Sequence, residues 1–135
     1  MLFRSEVCSL TVDSVHLEER YAFLPTTKNG DSRRVPLSSR AVEVLKPLIE
    51  KAESAGRVEL FPMDKNVLGL RFHQLRAKAG LGDLRFHDTR HTAATRASKV
   101  LHNVLELAAF TGHRSLKSLQ RYYHADATEL AHRLG

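Results

Sequence analysis

Cysteine is almost missing from this chain: Cys8 is the single one in 135 residues. That excludes an internal disulfide framework and a thiolate metal cluster, and it suits a reducing cytoplasm, the expected location. Apolar runs are short. None approaches the roughly 20 residues that cross a bilayer, and the first residues lack the basic start, apolar middle and small-residue cleavage site of a secretory signal. The four prolines and seven glycines are dispersed, so no linker divides the chain. Neither an internal repeat nor a low-complexity tract is found. With 42% apolar and 27% charged residues, the composition is that of a folded protein of one domain.

Charge is present in excess of one sign, and the excess is local. Residues 1–70 hold ten Lys and Arg against ten Asp and Glu, whereas residues 71–135 hold eleven against five. Seven of the eight histidines also fall in that second half. An anionic neighbour would charge them further, so a polyanion is the natural partner, with a plain solvated basic surface as the alternative.

Hydrophobic spacing and turn chemistry predict an α+β fold, mainly helical, with a small antiparallel β-hairpin near the N-terminus. Val7 and Leu10 end a first helix that nothing upstream caps, so the chain is expected to start inside a longer domain. The alternating segment Tyr21 to Pro25 and the segment Ser32 to Leu37 flank Lys28-Asn29-Gly30-Asp31. The Asn-Gly pair predicts a tight hairpin turn with Lys28 at its tip. Ser38 or Ser39 is expected to cap a helix to about Ala52, kinked by Pro47. A helix from Asp64 to Ala79 should bury Val67, Leu68, Phe72 and Leu75 and stop at Gly80. Helical stretches at His87 to Leu101, Asn103 to Phe110, Ser115 to His124 and Asp126 to Leu134 complete the expectation.

The run His87-Asp88-Thr89-Arg90-His91 puts two imidazoles and a guanidinium on one helix face, where they can act on one ligand. His87 and His91 also resemble half of a zinc site, but Asp88 stands where the metalloprotease pattern wants Glu, and no metal is expected. Thr111-Gly112-His113 closes a later helix, and Tyr122 follows nine residues after His113.

In that order and spacing, HDTRHT and TGHRSLKSLQRYYH resemble the catalytic domain of the tyrosine recombinases, the phage integrase family. The hairpin TKNGDSRRVPL is similar to the family's β-hairpin, and RSEVCSLTVDSVHLEE to the stretch after its first arginine. The resemblance implies that residues 1–135 are part of that catalytic domain, without its beginning and without the separate N-terminal DNA-clamping domain. It implies site-specific DNA recombination or integration: Tyr122 attacks a backbone phosphate of double-stranded DNA and leaves a 3′-phosphotyrosyl bond. Arg90, His87, His113 and the hairpin lysine, Lys28, match the other catalytic positions. A cofactor, a small-molecule substrate and a membrane have no part in such a reaction, and self-association on DNA stays open.

The chemistry of these side chains fits the implied roles. A phenol with a pKa near 10 needs a base, for which His87 is a candidate, or cations that stabilise its phenolate. Charge developing on non-bridging oxygens calls for fixed donors such as Arg90 and His113. Lys28 could protonate the departing 5′ oxygen. Arg33, Arg85, Arg114 and Arg121 are candidates for phosphate contacts. One departure stands out. The family pattern places an arginine three residues before Glu6, where this chain has Phe3: either that arginine is missing or Arg4, one position off, substitutes for it from a shifted register. The chain is therefore expected to be weak or inactive, with a non-catalytic DNA-binding remnant as the alternative. An exposed apolar patch is expected near residues 2 to 10.

Overall fold

The computed structural model describes residues 2–26, 30–123 and 126–135. Among them a three-stranded antiparallel sheet is followed by helices, in the order α1 (Arg4–Cys8), β1 (Val15–His16), β2 (Tyr21–Leu24), β3 (Arg33–Pro36), α2 (Ser39–Ser54), α3 (Lys65–Lys78), α4 (Phe86–Ser98), α5 (Val104–Thr111) and α6 (Ala127–Leu134). Short 3₁₀ segments occupy Val12–Ser14 and Leu116–Tyr122. The α+β architecture expected from the sequence is what the chain adopts. No helix among the described residues is long and apolar enough to cross a membrane.

The sheet is in order β1-β2-β3. Alternation along β2 turns Ala22 and Leu24 inward, opposite Val35 of β3, and leaves Phe23 outward. These residues meet Leu10, Val15, Leu45, Ala52 and Leu60 in one core between the sheet and α2. Strand β1 is an addition to the expected hairpin; at two residues it is too short to show a period. Among the described residues the pairing of β2 with β3 runs from Tyr21 with Pro36 to Leu24 with Arg33. Gly30 has the positive φ of 85° that a tight Asn-Gly turn asks for, while Lys28 and Asn29 lie outside the described residues.

Side-chain caps set the helix starts. Ser38 accepts a hydrogen bond from the Ala41 amide, Asp64 from those of Asn66 and Val67, Asn103 from Leu105, and Asp126 from Thr128 and Glu129. Helix α2 runs through Pro47; Pro47 and Glu43 are both exposed, so the carbonyl that the proline cannot serve faces solvent.

Three expectations are corrected. Helix α3 contains no buried residue: Val67 and Leu75 are exposed, and the helix touches the rest of the fold mainly at α1. There the Arg4 guanidinium lies over Gly69, where a Cβ would collide with it. The stretch after Ser115 winds as a 3₁₀ segment rather than an α-helix. Residues 2 to 10 are not an exposed patch, because Leu10 is buried, Leu2 packs against the core and Phe3 lies on Arg90.

Candidate active site

Helix α4 presents His87, Arg90 and His91 from one face, and the 3₁₀ segment ends by turning Tyr122 toward them. Two anchors fix that segment. Leu119 is fully buried, and the Tyr123 hydroxyl donates to the carbonyls of Leu101 at 2.8 Å and Asn103 at 3.2 Å. Adjacent tyrosines therefore face different ways, Tyr123 tied to backbone and Tyr122 into the site. His87, Arg90, His91, Thr111, His113 and Tyr122 line one slot of about 20 Å³, room for about one water.

Arg90 is the buried cation of the site, 7% exposed. Its Nη2 donates to the Thr111 carbonyl at 3.1 Å, and its Cζ lies 3.8 Å from the centre of the Phe3 ring. Burial lowers its pKa, opposed by the Glu6 carboxylate and by Tyr122 and reinforced by Arg33. Thr111 is a buried pillar: its hydroxyl donates to the Leu107 carbonyl at 2.9 Å and pairs with His113 Nδ1 at 2.8 Å. Gly112 ends α5 with φ 77°, which turns the chain so that His113 comes back to the slot.

Burial holds the His113 imidazole below its ordinary value, with Arg90 and Arg121 adding to the effect. His87 is lowered in the same direction, by burial first and then by His91 and Arg90. Both rings are thus biased toward the neutral form. His87 packs between the Phe3 ring at 6.4 Å and His91, which it meets edge-on at 4.9 Å. The imidazole within hydrogen-bond distance of the phenol is that of His91, with Nδ1 2.7 Å from the Tyr122 hydroxyl oxygen.

A second, open cavity of about 480 Å³ shares His87 and Arg90 with the slot and adds Arg4, His73, Arg76 and Arg85 to its wall, with Phe3, Phe72 and Phe86 beneath. Among the described residues no carboxylate lines it. A phosphate held there would touch the guanidinium that borders the slot of Tyr122.

The four arginines named as phosphate contacts diverge. Arg85 is largely exposed, pairs with Asp88 and borders the open cavity. Arg121 is exposed with its guanidinium 6.0 Å from the Tyr122 ring centre. Arg114 is exposed and pairs with Asp31. Arg33 is turned inward: it meets Glu6 at 3.3 Å, reaches the Phe110 carbonyl at 3.5 Å and lies over Gly112. Lys28 lies outside the described residues.

His91 and Thr111 are the site residues to which sequence reasoning gave no role. His91 carried a signal, its four-residue spacing from His87. Thr111 carried none, because it works partly through its backbone carbonyl. Among the described residues no group of three His, Cys, Asp or Glu is placed to hold a metal ion.

A sequence profile described as the phage integrase family matches residues 2–129. The chain belongs to the phage integrase family. A relative in Haemophilus influenzae whose name reads integrase/recombinase is 42% identical over 127 residues, which are 93% of this chain and 41% of that protein. In fold the chain is similar to the crystal structure of the XerA recombinase, with a TM-score of 0.77 and 22% identity over 97% of this chain and 50% of that one. It is also similar to the Tn1549 transposon integrase in complex with transposon right end DNA, with a TM-score of 0.72 and 21% identity over 98% of this chain and 53% of that one. This phage integrase family chain thus spans about half the length of those relatives or less.

Proposed function

We propose that this chain breaks and rejoins double-stranded DNA at specific sites through a 3′-phosphotyrosyl bond to Tyr122. The observation that carries the reading is the slot in which Tyr122, Arg90, His87 and His113, spread over 36 residues of sequence, meet side by side. Their chemistry suits one esterified phosphorus. Arg90 offers a planar fork to two non-bridging oxygens, and its burial makes each hydrogen bond stronger than it would be in water. His87, held toward neutrality, offers one N–H to the same oxygens as charge develops, whereas His113 spends its Nδ1–H on the Thr111 hydroxyl and donates to them from Nε2 once a phosphate beside it favours the imidazolium. Lys28 is assigned protonation of the departing 5′ oxygen, as the family resemblance implies.

Rejoining reverses each step, since the phosphotyrosyl bond conserves the energy of the broken diester. No metal and no nucleotide are needed for that. The Tn1549 integrase, similar in fold, is described in complex with DNA, and the cavity walled by Arg4, Arg76, Arg85 and Arg90 supports the same class of partner here. A family member with one free, half-buried thiol also suits a cytoplasmic setting.

Phe3 sets the expected speed. It occupies the position where the resemblance implies an arginine, and its ring covers Arg90. One missing phosphate donor costs about 10²–10³ in rate, so cleavage should be slow. A nicked suicide DNA substrate tests the proposal by trapping the covalent adduct. The adduct is expected with the unsubstituted chain and with Tyr123→Phe, and not with Tyr122→Phe. Retarded DNA without any adduct would leave only a DNA-binding remnant.

A further inference from the structure

The phenol is held by an imidazole to which the mechanism above assigns nothing. His91 Nδ1 stands 2.7 Å from the Tyr122 hydroxyl oxygen, the two rings tilted by 35° with centroids 6.5 Å apart. The contact joins α4 to the end of the 3₁₀ segment, across 31 residues of sequence. Neither side is loose: His91 follows the buried Arg90 and packs edge-on against His87, while Leu119 and Tyr123 anchor the segment on both sides of Tyr122. His87 reaches the same slot from one helical turn earlier.

We propose that His91 is a catalytic residue of strand cleavage, the acceptor of the Tyr122 proton; this rests on the reading of Tyr122 as nucleophile. The required tautomer carries its proton on Nε2 and leaves Nδ1 bare, so the phenol donates and the imidazole accepts. As attack begins, the Tyr122 O–H bond breaks and the proton becomes the N–H of Nδ1. The electron pair left on the phenolic oxygen forms the O–P bond. The bond from phosphorus to the 5′ oxygen breaks with its pair, and that oxygen takes a proton from the general acid of the site, the role assigned to Lys28. In rejoining, the His91 imidazolium returns its proton to the departing phenolate. His87, beside His91 and sharing Arg90's cavity, is thereby left to the phosphate oxygens.

The test uses His91→Ala and His91→Gln in the intact chain, with the nicked suicide substrate and single-turnover adduct formation. His91→Ala is expected to slow the adduct by about 10²-fold or more. Free imidazole added to His91→Ala should restore part of the rate. His91→Gln keeps a hydrogen-bonding oxygen but cannot hold the proton, and should stay slow. Unchanged adduct formation in His91→Ala overturns the proposal. Full activity in His91→Gln also overturns it, since it would make His91 a positioning residue only. A measurement without DNA separates this from the function itself. With Cζ-labelled tyrosine, the NMR resonance that disappears in Tyr122→Phe should move in His91→Ala, by more than those of Tyr21 and Tyr123. An unmoved resonance overturns the pairing. If the unsubstituted chain forms no adduct, strand cleavage fails as the function and with it the proton transfer, while the labelled tyrosine still decides the contact.

Discussion

Glu6 is the counter-charge on which the cationic side of the site is built. It is 4% exposed, and its Oε2 accepts the Phe3 amide at 2.8 Å and the Arg33 guanidinium at 3.3 Å. Its charge also favours the buried Arg90 guanidinium against the desolvation that opposes it. Glu6→Gln keeps the shape and an oxygen for the Phe3 amide but leaves Arg33 and Arg90 without their carboxylate. Removing one partner of a buried pair costs about 3–5 kcal/mol. Arg33 keeps a side chain 15% exposed and its contact is not short, so the lower end, about 3 kcal/mol, is expected. For a chain of 135 residues that lowers Tm by about 10 °C. Urea and thermal unfolding followed by circular dichroism measure it.

The same substitution removes a negative charge that acts on Arg90 and so makes the open cavity more positive. Sulfate should therefore raise the stability of Glu6→Gln more than that of the parent, by the linkage between binding and folding. Adding Arg33→Met should recover part of the loss, since the guanidinium that has lost the Glu6 carboxylate goes with it. Unfolding of Glu6→Gln within about 0.5 kcal/mol of the parent, against the few kcal/mol expected of a broken buried pair, would refute the reasoning. So would an equal gain from sulfate in both proteins.

Three further outcomes are expected. His87 and His113 have lowered pKa values in the folded chain, so the unfolded chain takes up protons that the folded one resists. Stability from these groups is complete above about pH 6.5 and declines as the pH falls below it, and His113→Asn should flatten that decline in urea titrations at several pH values. Phe3→Arg places a second guanidinium beside Arg90 on the open cavity and should raise the adduct rate at least about tenfold, read with the suicide substrate; an unchanged rate would separate Phe3 from the slowness. Gly112→Ala must take a φ of 77° and push its Cβ to 2.7 Å from the Arg33 Cζ, so it should cost about 2 kcal/mol or more and displace His113, seen as a lower urea midpoint and weaker adduct formation.

Helix starts were legible because they depend on neighbours in the chain. Ser38, Asp64, Asn103 and Asp126 cap where a short polar side chain precedes an apolar period, and Gly112 ends α5 where a left-handed residue is wanted. The catalytic-looking spacing on α4 was legible for the same reason, since three- and four-residue steps share a helix face. What failed was whatever needed a partner from elsewhere. The apolar face of α3 reads as core, yet Val67 and Leu75 meet solvent because the helix docks mainly on α1. Arg33 reads as a candidate phosphate contact, yet the buried Glu6 draws it inward. Strand β1 exists only because β2 is there to pair with it.

From its residues alone the chain determined its α+β class, its basic second half and the set of side chains able to handle a phosphodiester, since local spacing and side-chain chemistry are properties of the polymer. Tertiary structure decided which imidazole meets the Tyr122 hydroxyl, which guanidinium is buried beside it and which ring covers that guanidinium. Hydrogen bonding, desolvation and ring contact all depend on distances between groups far apart in sequence, and only packing sets those distances.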